Sequence, residues 1–85
     1  MARYRLLFKK SVAKDLRAIP KKDVQRILKR IKALADAPLP EGCEELTDQE
    51  RYRIRQGSYR AVYEIRDDVL VIIVVKIAHR SEAYR

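Results

Sequence analysis

Arg51, Arg53 and Arg55 alternate with Tyr52, Ile54 and Gln56. In an extended chain these three guanidiniums leave one face of a strand at intervals of about 7 Å. Such a row is either an ordinary solvated face of an antiparallel sheet or a track for phosphates. Arg60 follows just past Gly57-Ser58. A hairpin there would set it about 5 Å from a facing residue on the first strand, so that four guanidiniums could converge on one concave site held by backbone. A second concentration lies at 79–85, where His79, Arg80 and Tyr84 fall within six residues that carry no core pattern. His79, with a reference pKa near 6.5, is the natural proton carrier of this chain. Taken singly, His79 also suits the end of a strand and Tyr84 a packing anchor. Cys43 reads as a structural thiol, and Cys43 with the single His79 cannot assemble a zinc set.

The elements that must position these groups are legible from periodicity. Residues 3–8 read as a strand. Ser11 is placed to cap a short helix whose stripe is Val12, Leu16 and Ile19, and Pro20 breaks it. A second helix is expected from about 21 to 36, burying Val24, Ile27, Leu28, Ile31, Leu34 and Ala35 and turning Lys22, Arg26, Lys29, Arg30 and Lys32 outward. Pro38, Pro40 and Gly42 end the helical region, 43–46 suits a short strand, and 47–50 a polar turn. Strand 51–56, the Gly57-Ser58 turn and strand 59–66 form a hairpin. Asp67-Asp68 makes a second tight turn into the apolar run 69–77, which belongs in the middle of a sheet because both faces are apolar. The pattern is β-α-α-β-β-β-β: an α+β, two-layer fold with a helical hairpin on one face of a mostly antiparallel sheet. At 85 residues the chain suits a single domain spanning 1–85.

Charge narrows the partners. Net charge is +8, from 20 basic and 12 acidic residues. The distribution is segregated: 12 basic against 2 acidic residues over 1–35, none against 6 over 36–50, and 8 against 4 over 51–85. Two basic blocks therefore flank an acidic one, which favours a polyanionic partner such as nucleic acid, or an acidic protein. The acidic block is a polar loop by default, or a brake on nonspecific RNA binding. The longest apolar run, 69–75, is too short for a membrane span. With one cysteine and no leader pattern at the N-terminus, a cytoplasmic protein without membrane contact is expected.

The segment Gly57-Ser58-Tyr59-Arg60-Ala61-Val62-Tyr63 resembles the G-x-Y-R-x-x-Y motif of the RelE/ParE toxin superfamily. His79-Arg80-Ser81-Glu82-Ala83-Tyr84-Arg85 is similar to the closing H-R-x-x-x-Y-R of its RelE branch. The opening Phe8, Ala13, Asp15 and Leu16 and the proline corner at Pro20 match as well, so the resemblance spans essentially the whole chain. It implies the fold described above and a small basic toxin of a type II toxin–antitoxin system that enters the ribosomal A site and cuts the mRNA being translated. It also implies a cognate antitoxin, RelB-like or of another type II family, with operator DNA contacted only through the antitoxin complex. Arg60, Arg80 and Tyr84 match positions of the RelE active site. Arg53 and Arg55 fall where well-known members carry lysines.

Cutting RNA without a metal or other cofactor requires a base for the 2′-OH, charge stabilisation at the pentacoordinate phosphate and an acid for the 5′-oxygen. Arginine, with a pKa above about 12, does not serve as a base. Arg51, Arg53 and Arg55 are thus phosphate-binding groups, Arg60 and Arg80 meet transition-state charge, and His79 or Tyr84 moves protons. Glu64 and Glu82 are weaker proton carriers, and Glu64 has the alternative of pairing an arginine. Two other readings share the fold: a ParE-like, non-enzymatic toxin that inhibits DNA gyrase, and a catalytically degenerate homologue that only binds its antitoxin. The tail at His79, Arg80 and Tyr84 favours the ribonuclease.

Overall fold

The computed structural model describes residues 3–46 and 51–81. Its elements in chain order are β1 (Arg5–Phe8), α1 (Lys10–Arg17), α2 (Lys21–Ala33), β2 (Glu44–Leu46), β3 (Arg51–Gln56), β4 (Tyr59–Arg66) and β5 (Val71–His79). The strands form one sheet in the order β1-β5-β4-β3-β2. β1 runs parallel to β5, and the other three pairings are antiparallel. The expected α+β layout therefore holds, with both helices packed on one face of a mixed sheet.

The apolar stripes meet on that face. Val12 of α1 and Ile27 and Ile31 of α2, with Leu34 just beyond, pack with Ile54, Tyr63, Ile72, Val74 and Ile77 of the sheet, all essentially inaccessible. Burying each such side chain contributes about 1.5–3 kcal/mol, so this layer and not the charged face fixes which way the sheet turns. The outer edge of β5 beyond the short β1 is covered from α1: the Asp15 carboxylate accepts from the Ile77 amide at 3.2 Å, and the Lys9 amide donates to the Val74 carbonyl at 3.0 Å. No helix of the described residues is long and apolar enough to cross a membrane.

Three local expectations are corrected. Ser11 does not cap α1, because the helix starts two residues earlier, with Lys9 as its N-cap and no side-chain cap. α2 ends at Ala33, and the next amides tighten to i−3 partners, Leu34 to Ile31 and Ala35 to Lys32. The turn after β4 is wider than Asp67-Asp68: Arg66 pairs with Val71, so Val69 and Leu70 belong to the turn and stand exposed. The 47–50 turn lies outside the described residues.

Two features set the geometry of the charged face. Gly57 takes φ +61° while Ser58 stays out of the left-handed region, the signature of a two-residue turn that needs positive φ only at its first position. It puts Arg55 directly opposite Arg60. The second feature is a bulge between β4 and β5, where Val62 faces Lys76 but Tyr63 faces Val74. The extra residue, Val75, shifts the alternation of β5. Ile72 and Val74 reach the core before it, and Ile77 reaches the core after it.

Candidate functional site

On the sheet face away from the helices, register alone assembles the basic cluster. Arg51, Arg53 and Arg55 of β3 lie opposite Glu64, Val62 and Arg60 of β4, and Glu44 of β2 lies opposite Arg53. Arg60, at 7% exposure, is the only buried polar or charged residue among the described residues. A guanidinium is held at such a place only with compensating anions or hydrogen bonds.

Glu44 supplies negative charge to this group. Its Oε2 lies 2.8 Å from Arg53 Nη2 and its Oε1 lies 2.8 Å from Arg55 Nη2. The hydrogen bond from Arg53 holds the Glu44 carboxyl below its usual value; attraction from Arg53, Arg55 and Arg60 adds to this against a desolvation cost. Glu44 is therefore ionised at neutral pH. The sequence pattern by itself does not single it out. Its place in the acidic stretch that pairs antiparallel with the arginine strand is the signal, and that becomes informative only once the β2–β3 register is known.

The row of arginines divides. Arg51 Nε binds Glu64 Oε2 at 2.9 Å, and Arg66 Nη2 binds Glu64 Oε1 at 3.0 Å. Burial pulls the Glu64 carboxyl upward, but the hydrogen bonds and attraction of Arg51 and Arg66 outweigh it and hold the group below its usual value. Arg51 is thus engaged at the far end of the face, whereas Arg53, Arg55 and Arg60 gather about Glu44.

The tail residues are placed separately. His79 pairs with Tyr59, and Arg60 with Ala78. His79 lines a cleft with Asp15, Ala18, Ile19, Tyr59 and Ile77, and its ring meets Tyr59 edge-on at 5.4 Å. It therefore stands on the helix side of the sheet, opposite the Arg60 face, as the bulge in β5 dictates. The Ser81 amide donates to His79 Nδ1 at 3.2 Å and the Ser81 hydroxyl lies 2.9 Å from the same atom, an arrangement that leaves the proton of the neutral ring on Nε2. Arg80 follows in an exposed turn; its amide donates to the Ser58 carbonyl at 2.7 Å, which ties it to the same end of the sheet as Arg55 and Arg60. Tyr84 and Glu82 lie outside the described residues.

The remaining groups are accounted for by packing. Tyr63 donates its hydroxyl to the Pro38 carbonyl at 2.6 Å, with Cys43 Sγ 3.2 Å away; burial, then the contact with Cys43, pushes the phenol well above its usual pKa. Arg26, Lys29 and Arg30 of α2 line a shallow basic pocket with Gln56 at the end of β3. Among the described residues no three His, Cys, Asp or Glu side chains stand close enough to hold a metal ion.

Residues 6–84 match the family described as the ParE toxin of type II toxin–antitoxin system, parDE. A RelE1 protein of Methanocaldococcus jannaschii is 31% identical over 80 residues, which is 89% of each chain. The RelE–RelB complex of Pyrococcus horikoshii contains a chain that superposes with a TM-score of 0.80 at 31% identity, over 96% of this chain and 99% of that one. The isolated RelE toxin of Escherichia coli gives a TM-score of 0.79 at 25% identity, over 95% of this chain and 90% of the other.

Proposed function

The chain belongs to the ParE toxin family of type II toxin–antitoxin systems, and from its likeness to RelE toxins within that superfamily we propose that it is a ribosome-dependent endoribonuclease that cuts mRNA in the ribosomal A site. The observation that carries the reading is the gathering of Arg53, Arg55 and Arg60 on the open sheet face, with Arg80 at the same end. Fixed guanidiniums suit a reaction in which the 2′-OH attacks the adjacent phosphate, negative charge builds on the equatorial oxygens, and the 5′-oxygen leaves. The products are a 2′,3′-cyclic phosphate and a 5′-OH. Arg53 and Arg55 clamp the backbone, and Arg60 and Arg80 meet the developing charge. Proton transfer falls to Tyr84 or His79, of which His79 reaches the substrate only from the cleft side of the sheet. Arg51, held by Glu64, contributes long-range attraction.

The partners follow from the same reading. RelE of Pyrococcus horikoshii was crystallised with RelB, and a RelB-like antitoxin that neutralises this toxin is proposed here, with DNA contacted only through that complex. The site of action is the cytoplasm, where translation occurs. A second reading, inhibition of DNA gyrase, is kept because the matching family bears the ParE name.

The test uses Arg60→Ala, Arg80→Ala and Tyr84→Ala in a cell-free translation extract, beside a gyrase supercoiling assay. Wild-type protein is expected to stop translation and spare gyrase. Each variant is expected to lose the block while still binding the antitoxin. Full translational block by all three variants overturns the site; inhibition of supercoiling with intact translation selects the gyrase reading.

A further inference from the structure

We propose that Glu44 is a built-in competitor for RNA phosphate, occupying the Arg53–Arg55 clamp until a polynucleotide backbone displaces it. The inference rests on the reading of those arginines as phosphate-binding groups. Each carboxylate oxygen of Glu44 engages a different guanidinium at 2.8 Å, and two oxygens of a phosphodiester present the same pair of acceptors. Both anions compete for the same Nη2 donors of Arg53 and Arg55.

Accessibility makes exchange feasible. The side chains of Glu44 and Arg55 are 43% and 54% exposed, so an anion from solvent reaches the clamp directly. Arg53 is only 13% exposed, and a guanidinium that far from water is costly to leave without an anion. Glu44 meets that requirement in the free protein and phosphate meets it in the complex. The carboxylate also sits at the sheet margin, on a three-residue strand that among the described residues pairs with β3 alone, so a side-chain rotation vacates the site without breaking the core. The neighbouring Glu45 lies near the Tyr52 hydroxyl instead. A chain with net charge +8 attracts every polyanion; an internal carboxylate raises the threshold so that a single casual phosphate does not hold the clamp, whereas a backbone bound at several points does.

The test measures binding of a 5′-fluorescein-labelled 12-nucleotide oligouridine by anisotropy at physiological ionic strength, where the Debye length is about 8 Å, with Glu44→Gln and Glu45→Gln, which alter net charge equally. Glu44→Gln is expected to tighten binding about tenfold, and Glu45→Gln by less than about threefold, since loss of one remote charge is largely screened. Equal effects overturn the proposal. Unchanged affinity of Glu44→Gln with lost mRNA cleavage also overturns it and assigns Glu44 to the chemistry. If neither protein cuts ribosome-bound mRNA but Glu44→Gln gains affinity, the competitor stands and the ribonuclease reading falls. Should Glu44→Gln not fold, the carboxyl carbon resonance of Glu44 in the wild-type protein replaces it as readout: a shift that tracks added oligouridine supports displacement, and no shift during saturable binding overturns it.

Discussion

Replacing Arg60 by Met separates the functional role of the basic cluster from a structural one. Arg60 is buried, directly opposite Arg55 and close enough to Glu44 to help hold its carboxyl ionised. Facing cations about 5 Å apart at an effective dielectric of 20 repel by roughly 3 kcal/mol. Arg60 also attracts Glu44, though less than Arg53 and Arg55 do, which offsets part of that repulsion. Met fills most of the same volume with no charge to desolvate, and such replacements are commonly neutral or stabilising. Stability is therefore expected to rise, or to fall by no more than about 1 kcal/mol. Catalysis responds differently, because removing one fixed donor from a developing oxyanion typically costs about 10²–10³ in rate. Urea melts followed by circular dichroism and single-turnover cleavage of ribosome-bound mRNA measure the two quantities on one preparation. Destabilisation above about 3 kcal/mol would show that Arg60 is a structural ion-pair residue, and cleavage at wild-type rate would refute its place in the reaction.

Three further outcomes follow from the packing and the charges. Tyr63→Phe removes the hydroxyl that binds the Pro38 carbonyl; a loss of about 1–2 kcal/mol is expected, read as a Tm drop of several degrees, and an unchanged Tm contradicts the assigned bond. The folded-state pKa of Glu64 lies below its ordinary 4.5, so its stabilisation is present above pH 4.5 and is lost as pH falls through the lower folded value. Glu64→Gln should accordingly be less stable than wild type at neutral pH, with the gap closing in strong acid; a pH-independent gap contradicts the ion-pair account. Leu70 adopts φ 53° in the turn before β5, and Leu70→Gly should stabilise by about 0.5–1 kcal/mol in thermal melts, with destabilisation as the contrary result.

Much of this arrangement is legible in the chain because alternation and turn chemistry are local. Tyr52 and Ile54 facing inward fix Arg51, Arg53 and Arg55 outward, and Gly57 at the first turn position sets Arg60 against Arg55. What stays hidden depends on long-range pairing. The bulge at Val75 falls inside a continuous apolar run, where a one-residue shift leaves no mark on the hydropathy pattern, yet it turns His79 to the helix side. Val69 and Leu70 extend the same run but are spent on the turn. Glu44 is one of several acidic residues in its segment, and only the three-residue pairing of β2 with β3 identifies it as the one among the arginines.

Whether this fold cuts mRNA on the ribosome is tested most directly with purified protein added to ribosomes stalled on a defined mRNA. The same mRNA runs naked in parallel, and 5′ ends are mapped by primer extension. Cuts within the A-site codon are expected only where ribosomes are present. Intact mRNA in both tubes, with circular dichroism showing folded protein, would contradict the ribonuclease reading.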